Sequence, residues 1–589
     1  MNIGEAIKTL FYRKNKKIKN RLTTSYGEKI DPEHVLDEYP RPQLKRDSFI
    51  NLNGYWRYAI SDSKDRPQKF DGIILVPYSP ESILSGVERQ LKPSQYLFYE
   101  RYIDFDEIPQ HKKLILHFGA VDQKCSVWWN GRCVKNHTGG YLPFSIDVTE
   151  RVEKHNILLV RVSDATDMSY HARGKQKLDS GGMFYTAQSG IWQTVWCEWV
   201  PDNYITDIKI TPKLDEKKVI LKIYTRYPVI KKITVSVLGI KIKEVHSNEK
   251  TVVIDFDDCT DICEWTPEKP FLYNLYIEAG DDRVESYFAM RKYSVGPDKN
   301  GRPCLYLNNH PYYMHGILDQ GYYSDGLMTP ASYDIIREDI DAVKKLGFNM
   351  VRKHIKIEPL VYYYICDVKG MIVWQDMVNG GGRYNIFLFT ILPTVIPAVR
   401  RFVDDRKYDI FGRNSYKGRR EWITECRDTI KHLYNCPCIG MWILFNEGWG
   451  QFDSAKITLM VKKMDRTRLV DSASGWIDKG CSDVKSDHVY FEKIKVKRDK
   501  RPYVCSEYGG YAYYVKGHSY SDRIYGYKTC ASPWEFRMAY KRLQSEIENL
   551  KEKGLVADVY TQLSDVEDEV NGILTYDRKI NKLDDYEEM

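Results

Sequence analysis

The chain has 589 residues, more than one hydrophobic core can hold, and its length calls for about three to four domains. Its composition is globular and unusually aromatic, with 45 Tyr and 13 Trp. Its formal charge of +7 lies largely in an N-terminal arm and does not argue for nucleic acid.

Thirteen cysteines are scattered without a paired framework, and Cys436-Pro437-Cys438 is the only close pair, so a zinc site is not expected. Residues 1–20 are basic but lack the apolar segment of a signal peptide. The longest apolar stretch, Ile386 to Val399, is too short to span a bilayer and contains two prolines. These features describe a soluble, cytoplasmic protein with reduced thiols and no membrane partner.

In chain order, residues 1–35 read as a basic, solvated arm. Residues 36–201 carry regularly spaced strands, at Asn51–Tyr58, Leu114–Phe118, Cys125–Trp129, Cys133–Lys135 and Ile157–Val162. Asn130-Gly131 has the chemistry of a type I′ hairpin. Short strands without a convincing helix predict a β-sandwich of jelly-roll type. Residues 202–295 alternate cleanly, as in Val219–Tyr224 and Thr234–Val237, and predict an immunoglobulin-like sandwich punctuated by Trp265–Pro270.

From residue 296 to 589 strands alternate with helices, the pattern of a (β/α)8 TIM barrel. Strands are expected at Tyr313–Leu318, Asn349–His354, Met371–Asp376, Cys438–Phe445, Arg468–Ala473, Asp487–Tyr490, Tyr503–Ser506 and Asp558–Leu563. The first helix is placed at Thr329-Pro330, with apolar residues Ile336, Ile340, Val343 and Leu346 and a stop at Gly347. Glu358-Pro359 opens the second, and others fall at Ser454–Met464 and about Ser532–Lys553. An insertion at about 379–418 precedes the fourth strand and is read as a cover or contact loop. No proper helix fits between strands six and seven, and little chain remains for an eighth.

Two of these strands end in a carboxylate. The apolar run Cys438–Phe445 stops at Asn446-Glu447, with Trp449 beyond it, and Tyr503–Ser506 stops at Glu507. The C-terminal ends of barrel strands form the active-site face. Two carboxyls facing across it meet the demand of glycoside hydrolysis, one protonated and the other ionised. The charge of Glu507 is expected to raise the proton affinity of Glu447.

Several further motifs accompany the pair: Arg41-Pro42-Gln43-Leu44, Asn53-Gly54-Tyr55-Trp56, Ser189-Gly190-Ile191-Trp192-Gln193 and Leu346-Gly347-Phe348-Asn349-Met350-Val351-Arg352. With Cys366-Asp367, Gly370 and Ser506-Glu507-Tyr508-Gly509, the chain resembles glycoside hydrolase family 2 over about residues 22–578. That family comprises β-galactosidases, β-glucuronidases and β-mannosidases. The resemblance implies jelly roll, immunoglobulin-like domain and barrel in that order, a retaining mechanism, Glu447 as acid/base and Glu507 as nucleophile.

It also implies Asn446 on the sugar 2-hydroxyl and Arg352 beside the nucleophile. His354, His488, Tyr490, Trp476, Trp449 and Asp376 are further sugar-contact candidates at strand ends. Trp374 reads equally well as barrel core, and for Trp442 core is the better reading.

Cys436 stands where the family commonly has His, and the Asn-x-Lys pair that glucuronidases use for the sugar carboxylate is missing after Glu507. Strand eight lacks the family's Trp, and the acidic segment Asp565–Glu569 reads as a solvated loop, with a place in the pocket lining as the alternative. No metal-ligand set or cofactor motif is seen. The expected partner is a glycoside, β-galactoside-like, with homo-oligomers possible. The alternatives are β-glucuronidase, β-mannosidase or a non-catalytic carbohydrate-binding protein.

Overall fold

The computed structural model describes residues 19–228, 233–237, 240–245, 251–256, 261–384 and 403–584. The first domain packs a six-stranded antiparallel sheet on a four-stranded one, which is the jelly-roll sandwich. The hairpin between Lys124–Trp129 and Arg132–Thr138 turns through Asn130 and Gly131 at φ 48° and 78°, as a type I′ turn requires. Its core is aromatic and aliphatic, with Trp56, Tyr99, Trp129 and Val160 wholly buried.

A three-stranded and a four-stranded sheet form the immunoglobulin-like sandwich. Lys218–Thr225 alternates buried and exposed side chains because only one face of each sheet reaches the core.

The third domain is the barrel. Its parallel strands are β1 (Met314–Asp319), β2 (Met350–Lys353), β3 (Ile372–Asp376), β4 (Ile439–Ile443), β5 (Leu469–Asp471), β6 (Lys485–Val489), β7 (Tyr503–Gly509) and β8 (Leu555–Thr561). They hydrogen-bond in the order β5-β4-β3-β2-β1-β8-β7-β6. Every residue of β4 is buried, which is why its sequence is apolar without alternation.

The seam between β5 and β6 is closed by side chains as well as backbone. The Val470 N–H donates to Asp483 Oδ2 at 2.8 Å and the Ser472 N–H to Ser482 Oγ at 2.8 Å, while the Asp483 N–H returns to the Val470 carbonyl at 2.9 Å. Helices α1 (Tyr333–Lys345), α2 (Leu360–Lys369), α3 (Tyr416–Leu433), α4 (Ser454–Met464) and α5 (Pro533–Lys551) follow β1, β2, β3, β4 and β7. Among the described residues no α-helix follows β5, β6 or β8.

Three expectations are corrected. Helix α1 starts at Tyr333 rather than Thr329-Pro330, because Ser332 is the cap and accepts the Asp334 N–H; Thr329 instead donates its hydroxyl to the Trp192 carbonyl at 2.6 Å and docks the first domain. Residues 19–35 are not a solvated tail: Leu22 and Val35 join the barrel's core, and Thr24 donates to buried Asp325 at 2.7 Å. Asp565–Glu569 is buried throughout.

The insertion ends at Ser415, the cap of α3, and Asn379 accepts the Arg173 N–H of the first domain at 2.9 Å. Residues 385–402 of that insertion, with all of Ile386–Val399, lie outside the described residues, as do residues 1–18.

Candidate active site

Local backbone chemistry aims each carboxylate. Past β4 the chain turns through Glu447 at φ 50° and Gly448 at φ 77°. A left-handed non-glycine residue costs on the order of 1–3 kcal/mol and persists only where its surroundings fix it. Here the Glu447 N–H donates to the Ser474 carbonyl at 3.0 Å, and the Ser474 N–H to the Phe445 carbonyl at 2.8 Å. In β7, Ser506 is an extra residue, so that Asp487 opposes Cys505 but His488 opposes Glu507. Such a bulge redirects the next side chain.

One carboxylate oxygen of each residue lies within 4.8 Å of the other, with an imidazole nitrogen of His488 inside the same distance. His488 Nδ1 is 2.9 Å from Glu447 Oε1 and 3.4 Å from Glu507 Oε2. Glu507 accepts Arg352 Nη1 at 2.8 Å, and the Tyr490 hydroxyl donates to its other oxygen. Burial, together with the charge of Glu507, pushes the Tyr490 phenol well up, so it stays a donor. A fixed cation and an O–H donor thus converge on this carboxylate, one on each oxygen.

Arg352, wholly buried, also binds Asp376 through two contacts at 3.0 and 3.1 Å and donates to Asn446 Oδ1 at 2.8 Å. The last contact fixes the amide flip of Asn446 and leaves its NH2 for the pocket, which it lines. His354 Nδ1 meets Asp376 Oδ2 at 2.7 Å. Burial, the charge of Lys175 and Arg352 hold that imidazole neutral, so its Nε2 is left as an acceptor.

Glu447 itself departs from expectation. Burial raises its carboxyl, but the hydrogen bond and charge of His488, the Trp449 indole N–H at 3.3 Å and the charge of Lys175 outweigh burial and hold it below the ordinary value. His488 stands between the two carboxylates and separates Glu447 from the charge of Glu507.

The pocket is lined by Asn446, Glu447, Trp449, Tyr490, Glu507 and His354 among the residues marked in the sequence. Arg352, Asp376 and His488 stand a layer behind the lining, and Trp476 packs with Trp449, Phe411 and Ile477 in a small aromatic cluster. Trp374 and Trp442 are wholly buried in the core.

Sequence reading singled out none of the residues on the outer side, although it marked the insertion and the acidic segment that supply two of them. Lys175, Met183 and Phe184 come from the first domain, Tyr384 from the insertion, Tyr527 from the segment after β7, Thr561 from the end of β8 and Glu569 from the loop that follows it. Phe184 meets Trp449 edge-on at 6.1 Å, and Tyr527 stacks on Tyr490 at 3.6 Å. The acidic segment explains how this side is held: Glu567 accepts the Thr186 N–H at 2.7 Å and Glu569 accepts the Tyr185 hydroxyl, which pins the chain next to Phe184. The available signals were the Gly181-Gly182 pair ahead of the Ser189–Gln193 motif and the density of acids at 565–569.

A larger cavity of about 220 Å³ lies at the junction of the three domains, but Asp207 is the one carboxylate in its lining, so it cannot host two-carboxylate chemistry. Among the described residues no cluster of His, Cys, Asp and Glu apart from the catalytic pair offers a metal centre.

Residues 301–583 match the profile "Glycosyl hydrolases family 2, TIM barrel domain", and residues 203–291 match "Glycosyl hydrolases family 2". A β-galactosidase of Thermoanaerobacter pseudethanolicus is 24% identical over 514 residues, which is 81% of this chain and 63% of that protein. A putative β-glucuronidase of Formosa agariphila is 25% identical over 367 residues, 56% of this chain and 41% of that protein. The chain thus spans less than two thirds of the length of either relative.

Among solved structures, an uncultured Clostridium sp. β-glucuronidase superposes with TM-score 0.71 at 18% identity, covering 92% of this chain and 97% of that one. A β-galacturonidase from Eisenbergiella tayi bound to galacturonate gives TM-score 0.68 at 16% identity, with 93% and 97% covered. At these identities the likeness establishes the fold.

Proposed function

The chain belongs to glycoside hydrolase family 2, and from that premise we propose that it is a retaining exo-β-glycosidase. The observation that carries the reading is the carboxylate pair: one oxygen of each lies within 4.8 Å of the other, a close pairing that supports retention over the wider arrangement of an inverting enzyme. Glu507 attacks the anomeric carbon as Glu447 protonates the departing oxygen, giving a glycosyl ester on Glu507. Glu447 then takes a proton from water, which displaces the ester.

Arg352 and Tyr490 hold the Glu507 carboxylate in place by hydrogen bonds, and the NH2 of Asn446 meets the sugar 2-hydroxyl. His354, Thr561 and Glu569 add hydroxyl-binding groups to the pocket lining, which favours a neutral, β-galactoside-like sugar. Lys175 favours a second reading. It lines the same pocket, and its ammonium, 5.7 Å from the Tyr185 ring centroid, would meet the carboxylate of a β-uronide.

A panel of para-nitrophenyl glycosides with the product anomer followed by NMR tests both. The expected outcome is turnover of one β-glycoside with retained configuration. Inverted product, or no turnover of any member, overturns the proposal, and hydrolysis of the uronide alone selects the second reading.

A further inference from the structure

Resting on the glycosidase reading, we propose that the wall of the pocket beside Glu447 receives the leaving group, that it selects an aromatic alcohol over a second sugar, and that Phe184 of the first domain sets this preference.

The walls beside the two carboxylates differ in what they offer. Around Glu507 the lining is polar: the Tyr490 hydroxyl donates to the carboxylate and lies 3.1 Å from the Thr561 hydroxyl. Around Glu447 it is aromatic. The Trp449 indole N–H reaches Glu447 Oε2 at 3.3 Å, and Phe184 and Tyr384 stand edge-on to Trp449 at 6.1 and 5.1 Å, with interplanar angles of 87° and 69°. Met183 belongs to the same lining.

The acid has to reach the oxygen that departs, so side chains on the face of Glu447 turned away from the nucleophile border the group which that oxygen carries. Oε1 of Glu447 is turned to His488, itself 3.4 Å from Glu507, and Oε2 is turned to Trp449. The aromatic wall therefore lies on the leaving-group side.

A second sugar would bring a rim of hydroxyls, each needing a partner as it leaves water. This wall has few to give. The Tyr384 hydroxyl is spent on the Gly380 carbonyl at 2.9 Å and the Trp449 N–H on Glu447, while Phe184 and Met183 carry no donor to offer. Asn379 Oδ1, buried and without a partner among the described residues, is a single acceptor, enough for one ring hydroxyl. Lys175 stands between the walls, its charge felt by Glu447 and His354 alike. What the wall supplies is ring faces and edges, with which an aromatic guest makes edge-to-face or offset contacts.

Phe184 is the member that can set selectivity without entering the chemistry. It bonds to neither carboxylate, whereas Trp449 holds the acid directly. The ring is half-buried, its loop is pinned by Tyr185 and Thr186, and the Lys177 ammonium lies 5.6 Å from its centroid, so it has a fixed place on a wall built by another domain. The alcohol departs with the proton of Glu447 as the C–O bond breaks, and Phe184 acts on the hold of the glycoside.

The test compares benzyl, methyl and glucosyl leaving groups on the sugar that the glycoside panel identifies. Benzyl alcohol and methanol are leaving groups of nearly equal basicity, so their ratio of kcat/KM reads the wall and not the ease of bond breaking. The unsubstituted protein should favour benzyl over methyl by about a hundredfold and over the disaccharide by about tenfold. Phe184→Ala should cut turnover of the benzyl glycoside about tenfold more than that of the methyl glycoside, and Phe184→Tyr should restore most of the difference. A benzyl-to-methyl ratio near one, a disaccharide used better than the benzyl glycoside, or equal losses on both substrates overturns the proposal.

Should Phe184→Ala not fold, the ranking of the three substrates on the unsubstituted protein decides. Lack of turnover on every glycoside would instead refute the parent reading, and calorimetry would judge this one separately: benzyl β-galactoside should bind about tenfold more tightly than methyl β-galactoside, and equal affinities overturn the proposal.

Discussion

The inner and outer sides of the pocket are held in place by different kinds of force. The inner side is made of strand ends, where the barrel ladder sets the backbone and a buried ion-pair network sets the side chains around Arg352. The outer side is a loop of another domain, carrying Lys175, Met183 and Phe184, and is held by hydrogen bonds from Tyr185 and Thr186 to Glu569 and Glu567. The difference teaches where chemistry and selectivity reside: charge is fixed on the rigid side, and shape is supplied by the side that can be exchanged.

Four substitutions sharpen or break that contrast. The largest effect belongs to Glu507→Gln, which should lower kcat by at least about ten-thousand-fold while leaving sugar binding, read by calorimetry, intact. Unchanged turnover would remove Glu507 from the chemistry. Next is Arg352→Met, which strands the buried charges of Asp376 and Glu507 and should cost about 3–5 kcal/mol in denaturant unfolding. A loss confined to activity, with stability unchanged, would show that the network orients groups without holding the barrel.

The outer side is only as firm as the joint that seats its domain. Glu198 there accepts Arg41 at 2.9 Å and Arg46 at 3.3 Å, and Arg46 also binds Asp282 of the second domain at 2.7 Å. Burial raises the Glu198 carboxyl, but Arg41, His117 and Arg46 outweigh it and bring it from 4.5 to about 2. A lowered folded-state value stabilises above pH 4.5 and is lost as pH falls toward 2. The joint should therefore contribute about 3 kcal/mol at neutral pH that disappears across this window. Glu198→Gln should flatten the acid limb of the stability profile, and an unchanged acid limb would refute the assignment. The smallest effect is expected of Phe184→Ala: KM up about tenfold with kcat little changed, since only uniform binding is removed. A large fall in kcat would place the outer side within the chemistry.

The same contrast decides what a reader of the sequence can see. Asn446-Glu447 and Ser506-Glu507 were legible because each follows a short apolar run, and strand ends in a barrel converge by topology. Arg352 was marked only by the family resemblance. Lys175 and Phe184 were not, since nothing local in a loop of the first domain says that it will meet Trp449 some 265 positions later. The acidic segment at 565–569 was misread because its partners, Tyr185, Thr186, Ser521 and Lys582, are supplied from distant parts of the chain, and burial of a carboxylate is visible only once its donors are known. The start of α1 was misplaced by a local rule that was sound in itself, with Thr329 serving a domain contact and Ser332 the cap.

The side-chain seam of the barrel has a dynamic consequence. Where neighbouring strands share a full ladder, exchange of an amide with deuterated solvent needs concerted opening of many bonds. At Val470 and Ser472 the amides are closed by the carboxylate of Asp483 and the hydroxyl of Ser482, and a side-chain rotation suffices to release them. β5 leads into Ser474 and β6 carries His488, so this hoop joint lies directly below the residues that meet at 3.0 Å behind Glu447. Deuterium should enter the barrel first at this joint, and a sugar that clamps Glu447 should slow its entry there more than anywhere else in the hoop.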